Sequence, residues 1–297
     1  MNTAPSNDDK KNRPARSDLL ASAHSAAVQA DVLALLADPA TARICLDIAE
    51  DASRAIGGRM AAAHVGADPK AMIAAPEELE LQMLRELHEG SPRERWEHVE
   101  RLFEEWRTLR PDRREILLDD CRGDIDRCVS GECRETALVV TACHGNMDTR
   151  DAFHDLLFNE RKLVLVPPSN EYAGDLVRHI LIGWKPHPYA HGAVVAARRW
   201  LAAAGQITVL CVNDKAGGRY QQTARELLAE LGLKGNIVAI RSEDRPVAET
   251  ILDFAGSVGA TCLLTGAFKH SYFLELFLGR VTRHLLAHTT LPLMMKH

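Results

Sequence analysis

Short apolar runs alternate with stretches of helical period along this chain, and the alternation occurs twice. In the second half, an apolar run at 180–184 precedes Ala193, Val194, Ala197, Trp200 and Leu201, which share one helical face. Gly205 is the expected helix end. A strand at 207–212, a helix at 221–231, a strand at 236–240, a helix at 247–258 and a strand at 261–265 follow. A final helix, starting near Tyr272 and burying Leu274, Phe277, Leu278, Val281 and Leu285, leads to a closing strand at 291–295.

The first half repeats this order with an insertion. A strand at 31–36 leads to a helix lined by Ala42, Cys45, Leu46, Ala49, Ala52 and Ile56 and ended by Gly57-Gly58. After a strand at 60–65, a long helical stretch intrudes over 76–106, carrying the stripe Trp96, Val99, Phe103 and Trp106. A strand at 115–118, a helix at 125–134, a strand at 137–143, a helix at 148–159 and a strand at 163–166 complete the unit. Pro167-Pro168-Ser169-Asn170 then sets the boundary.

Strands alternating with helices imply an α/β fold with parallel sheets covered on both faces. Right-handed crossovers make each unit a small doubly wound, Rossmann-like domain. The expected division is a polar, disordered tail over 1–28, a first domain over 29–168 with the 76–106 insertion, a linker over 169–177, and a second domain over 178–297. A length of 297 residues suits two domains. In such sheets ligands sit beyond the carboxyl ends of strands, where strand order reverses. The loops after the first and fourth strands of each unit are therefore the candidate walls.

The net charge of −5 gives no reason to expect binding to nucleic acid or an acidic membrane. No run nears the roughly 18 apolar residues of a spanning helix. The opening residues lack the apolar core of a secretory signal, carrying instead Asp8, Asp9, Lys10, Lys11, Arg13 and Arg16. With no export signal, the seven scattered cysteines read as reduced thiols of a cytoplasmic protein.

Specific residues extend this reading. The run Trp184-Lys185-Pro186, backed by Ala190, Ala193, Val194, Ala197 and Leu201, resembles the first strand and helix of a universal stress protein domain. Residues 264–271 (LTGAFKHS) with 277–283 (FLGRVTR) resemble that family's fourth strand, loop and helix, and 291–294 (LPLM) its closing strand. In the first unit, Ala49, Ala52, Ile56, His64-Val65, Asp68-Pro69, Gly123-Asp124 and 164–168 fall at matching places. The chain thus resembles a tandem universal stress protein, with adenine-nucleotide alpha hydrolase-like domains. The resemblance implies a non-catalytic role in stress response by ligand binding and conformational signalling. It also implies closing strands paired edge to edge, so that the two repeats form a pseudo-twofold dimer within one chain. Further homo-oligomerisation is compatible with this arrangement.

ATP-binding members carry G-x-x-G-x9-G-[ST] and an Asp ending strand one. Glycines let backbone N–H groups approach phosphate, and a helix N-terminus completes the anion site. Gly266 and Gly279 match the first and third glycines. Lys269 replaces the second, Arg280 replaces the Ser/Thr, Lys185 replaces the Asp, and Thr282 lies two residues late. The expected site is a degenerate nucleotide or anion pocket of Trp184, Lys185, Gly266, Lys269, His270, Ser271, Gly279, Arg280 and Thr282. Its expected ligand is ATP or another small phosphate-bearing anion, without a metal. A scaffold with vestigial pockets is the alternative, in which Lys269 and Arg280 are solvated loop charges.

The first unit offers less. Ala142, Cys143, His144 and Gly145 follow its fourth strand without a Gly-rich pattern, and Asp38 before Pro39 suits an ordinary turn. This half reads as a non-binding structural repeat. Cys121, Cys128, Cys133 and Cys143 near His144 lack zinc-type spacing. His284 and His288 share a helix face without an obvious third ligand, and His64 reads as a core histidine. No nucleophile elbow, Walker motif or H-E-x-x-H occurs, so no enzyme is expected.

Overall fold

A computed structural model describes residues 30–70, 76–168, 171–213, 218–267 and 278–297. The first repeat contains β1 (Val32–Leu36), α1 (Pro39–Ala55), β2 (Met60–Ala67), α2 (Pro76–Glu89), α3 (Pro92–Thr108), a 3-10 turn (Pro111–Glu115), β3 (Leu118–Gly123), α4 (Ile125–Cys133), β4 (Leu138–Val140), α5 (Met147–Phe158) and β5 (Leu163–Val166). The second contains β6 (His179–Trp184), α6 (Pro188–Ala196), α7 (Arg198–Ala203), β7 (Gln206–Val212), α8 (Arg219–Glu230), β8 (Asn236–Ile240), α9 (Val247–Ser257), β9 (Cys262–Gly266), α10 (Arg280–His288) and β10 (Leu293–Lys296).

The ten strands of the described residues join one sheet in the order β3-β2-β1-β4-β5-β10-β9-β6-β7-β8. Each repeat is parallel with its first strand between its second and fourth, so each has a switch point, at β1/β4 and at β6/β9. The antiparallel pair is β5 with β10, in the register Leu293↔Val166, Met294↔Leu165 and Met295↔Val164. Side-chain alternation then feeds two cores, one per face. Val32, Ala34 and Leu36 point into the core under α1, α3, α6, α7 and α8. Leu33 and Leu35 point into the core under α4, α5, α9 and α10. Each core runs through both repeats.

Contacts beyond the sheet fasten the repeats together. The fully buried Trp200 of α7 donates its indole N–H to Ala52 O of α1 at 2.9 Å. Arg199 meets Asp31 at 2.6 Å, which holds that carboxyl below its usual range. Asp51 of α1 accepts from Leu176 N at 2.8 Å and from the Tyr172 hydroxyl.

Several boundaries differ from the sequence expectation. The insertion is two helices, because Gly90 takes φ +81° and Ser91 opens a new capping box with Glu94, followed by Pro92. The strand expected at 115–118 begins at Leu118, since Pro111–Glu115 winds into the 3-10 turn. There Arg113 grips Glu50 of α1 with two hydrogen bonds, at 2.9 and 2.7 Å, and lies 3.9 Å over the Trp106 ring. Gly205 does not cap a helix through positive φ. A Cβ there would lie 2.9 Å from Arg178 O, so it serves a close backbone crossing. The described last helix begins at Arg280, because Gly279 is extended (φ −61°, ψ 156°); residues 268–277 lie outside the described residues. Cysteine chemistry also differs: Cys121 and Cys128 form a disulfide, since the β3–α4 turn brings their Cα atoms to 5.5 Å.

Candidate functional site

The carboxyl ends of β6 and β9 form the switch point of the second repeat, and the residues expected there divide into three groups. Trp184 ends β6 with its ring buried and its indole N–H donating to Thr223 Oγ1 of α8 at 3.2 Å. It borders a cavity of about 450 Å³ shared with Pro186, His187, His191, Thr223 and Glu226. Lys185, the next residue, is exposed. Lys269, His270 and Ser271 lie outside the described residues.

Gly266 closes β9, and the reason for a glycine there is packing. A Cβ would stand 2.6 Å from Ala190 N and 2.8 Å from Ala190 Cα, so only glycine lets the first turn of α6 settle against the strand end. Ala267 follows, its N–H donating to Lys296 O at 2.8 Å and its carbonyl 2.9 Å from His297 Nδ1. The His297 ring stacks on Tyr189 at 4.0 Å and meets Phe158 of the first repeat at 5.0 Å.

Gly279, Arg280 and Thr282 form the start of α10. Gly279 is the N-cap and supplies no side-chain acceptor, so the first-turn N–H groups have no side-chain cap. Arg280 is exposed, and Thr282 is buried. The helix therefore begins at the sheet's ligand end with a positive dipole and an exposed guanidinium. Sequence reading missed Asn213, which follows β7 in the left-handed region at φ +57°. Its amide exchanges hydrogen bonds with Ser242, at 2.7 and 3.0 Å, tying the loops after β7 and β8. Asn tolerance of that conformation was the available signal.

In the first repeat the same end is closed by the chain itself. Asp38 caps α1 by accepting from Ala40 N at 2.9 Å, and its second oxygen accepts from Asn146 N at 3.0 Å. Asn146 donates back to Ala37 O at 2.7 Å and caps α5 through Thr149 N at 2.9 Å. Gly145 makes this possible: its φ is +146°, and a Cβ would fall 2.6 Å from Asp38 Oδ2.

Beside this clasp lies a buried ionic cluster that the sequence did not announce. Asp148, fully buried in the first turn of α5, accepts from Arg85 Nη1 at 2.6 Å and from Ala67 N at 3.1 Å. Arg85 Nη2 stands 2.6 Å from Asp148 Oδ2, outside hydrogen-bonding geometry, and Arg95 Nε stands 3.7 Å from the same oxygen. Arg95 also donates to Ala67 O at 2.9 Å and Gly90 O at 2.7 Å. Arg85 and Arg95 come from α2 and α3, so the insertion is pinned across the end of β2. His64 is buried, with Nδ1 2.9 Å from Asp120 Oδ1; Nε2 has no hydrogen-bond partner among the described residues.

A roomier cavity, about 740 Å³, opens between α1 and the ends of β4 and β5, lined by Thr41, Arg43, Asp47, His144 and Tyr172. It lies mainly in the first repeat, with Leu286 of α10 on its wall. Cys143 borders it, 3.0 Å from His144 Nδ1, and burial pushes its thiol up to about 12. His284 and His288 stack at 4.1 Å. Among the described residues, no group of three or more His, Cys, Asp or Glu is placed to hold a metal ion.

The profile of the universal stress protein family matches residues 177–297. A universal stress protein from Archaeoglobus fulgidus DSM 4304 superposes with a TM-score of 0.58 at 11% identity, covering 90% of this chain and 98% of that one. A functionally unknown protein from Pseudomonas aeruginosa PAO1 superposes with a TM-score of 0.50 at 11% identity, covering 92% and 94%. At these identities the likeness establishes fold. No curated protein matches the chain. The second repeat is similar to a universal stress protein domain, and the two repeats together have a tandem, Rossmann-like α/β fold. No helix among the described residues is long and apolar enough to cross a membrane.

Proposed function

We propose that the protein is a non-catalytic, cytoplasmic stress-response protein that works by ligand binding and conformational signalling. Its anion site is the second repeat's loop after β9. The supporting observation is the start of α10. Gly279 leaves the first-turn N–H groups without a side-chain cap, Arg280 is exposed beside them, and both stand at the carboxyl end of the sheet. Helix N-termini of this kind favour phosphate and carboxylate groups. A bound anion shifts the face that this end of the sheet presents to a partner. The ligand class is a small phosphate-bearing molecule, with ATP the first to try.

One observation favours the alternative of a non-binding scaffold. Gly266 already has a packing reason to be glycine, so its presence does not require phosphate. Native mass spectrometry of gently purified protein, followed by titration calorimetry with ATP, AMP and inorganic phosphate, separates the two readings. The binding reading expects saturable affinity that falls at least tenfold in Lys269→Ala with Arg280→Ala. Affinity unchanged in that double variant refutes this site, and no binding of any of the three ligands favours the scaffold.

A further inference from the structure

Helix α2 is inside out. Its buried face is polar: Arg85 reaches Asp148, Gln82 accepts from Arg85 Nη1 at 3.4 Å, and Glu89 accepts from Arg85 Nε at 2.6 Å. Its outward face is apolar, with Leu81 47%, Met83 68%, Leu84 57% and Leu87 80% exposed. A surface helix ordinarily shows the reverse arrangement. Contiguous apolar side chains on one exposed helix face mark an interaction surface. The exposed carboxylates Glu80 and Glu86 border the stripe, so a complementary partner is apolar with basic flanks.

The chain carries such a segment. Residues 1–29 lie outside the described residues, and composition alone reads them as a polar tail. Leu19, Leu20, Ala23, Ala26, Ala27 and Ala30 nevertheless recur at i, i+1, i+4, i+7, i+8 and i+11, one helical face. Lys10, Lys11, Arg13 and Arg16 precede that face, and Ser17-Asp18 supplies two N-cap residue types at its start. Ala30, the last member of the stripe, is buried at the amino end of β1. From there to the sheet's carboxyl end, where α2 is pinned, is about 17 Å along a five-residue strand. Twelve helical residues span about 18 Å.

We propose that residues 17–29 dock as an amphipathic helix on the outward face of α2, with the basic residues before them facing Glu80 and Glu86. The apolar stripe is then an internal seat for the chain's own N-terminal segment, held at high effective concentration by its covalent link.

Hydrogen–deuterium exchange on the full chain tests this. The expected result is that amides of residues 20–29 exchange at least tenfold more slowly than unstructured peptide, independently of protein concentration. In Leu84→Glu with Leu87→Glu, both positions being exposed, the protection disappears while the sheet keeps its own. Leu20→Glu, on the segment itself, gives the same loss. Exchange of 20–29 at the unstructured rate in the full chain overturns the proposal. Protection that survives both variants overturns it as well. Protection that rises with concentration together with a doubled mass by light scattering overturns it in favour of a second copy as occupant.

Discussion

Replacing Asp148 with Ala removes the one carboxylate that, among the described residues, touches both Arg85 and Arg95 of the pinned insertion. Asp148 is fully buried, and Arg85 and Arg95 are 4% and 3% exposed, so water cannot replace the lost partner. Breaking a buried ion pair by removing one member costs about 3–5 kcal/mol, because a charge is left uncompensated. The lost acceptor for Ala67 N–H adds to that penalty. Glu97→Ala, which breaks the exposed Arg93–Glu97 pair, supplies the comparison, because water solvates and screens both of its charges. Urea denaturation gives the global stability, and native-state hydrogen exchange shows whether α2 and α3 open separately from the sheet. Asp148→Ala is expected to release exchange in α2 and α3 first. A stability loss no larger than that of Glu97→Ala, with exchange in both helices unchanged, refutes the claim that this cluster pins the insertion.

Further outcomes follow from the same structure. Gly145→Ala combines positive φ with a 2.6 Å approach to Asp38 Oδ2 and is expected to cost about 1–3 kcal/mol by urea denaturation; a neutral result contradicts the clasp. Burial pushes the Glu50 carboxyl up, but Arg113, with Arg54 and Arg110, outweighs it, so the folded carboxyl lies below its usual range. A depressed carboxyl stabilises fully above its unfolded value of about 4.3 and loses that contribution as pH falls through the folded value. Arg113→Met is therefore expected to destabilise strongly at pH 7 and progressively less toward pH 3, and a pH-independent difference measured by thermal melts counts against the ion pair. Iodoacetamide on denatured, unreduced protein is expected to label five thiols, with Cys121 and Cys128 protected until reduction; labelling of all seven excludes the disulfide. On the native protein Cys143 is expected to react first, slowly at neutral pH and faster toward pH 11.

Local signals made most of the fold readable. Continuous apolar runs such as 163–166 and 180–184 gave buried parallel strands, whereas Asp38-Pro39, read as an ordinary turn, and Ser91-Pro92, passed over within one long helical stretch, both start helices. The helical period also survived the insertion, except where Gly90 and Ser91 divided it. Long-range pairing was beyond reach. Nothing local relates Arg85 to Asp148, 63 residues away, and an Arg within a leucine-rich helix reads as solvent-facing until the fold turns it inward. The site was readable as a motif but not as a purpose. Gly266 was a phosphate glycine by spacing, while its contact with Ala190 is a matter of packing. The disulfide was missed because seven residues of separation give no pairing without the β3–α4 turn.

The β5–β10 seam has a genetic consequence. In a dimer of identical subunits every substitution appears twice, once on each side of the axis, so the two pockets change together. Joining the halves in one polypeptide removes that coupling while the strand pairing keeps the shared cores intact. A residue such as Asn146 can close one strand end without touching its counterpart, and α10 can start without a side-chain cap at the other end without disturbing the first. Covalent tandem linkage thus gives one molecule two independently editable ends, and the asymmetry between a closed first pocket and an uncapped second helix is a form that an identical pair is not free to take.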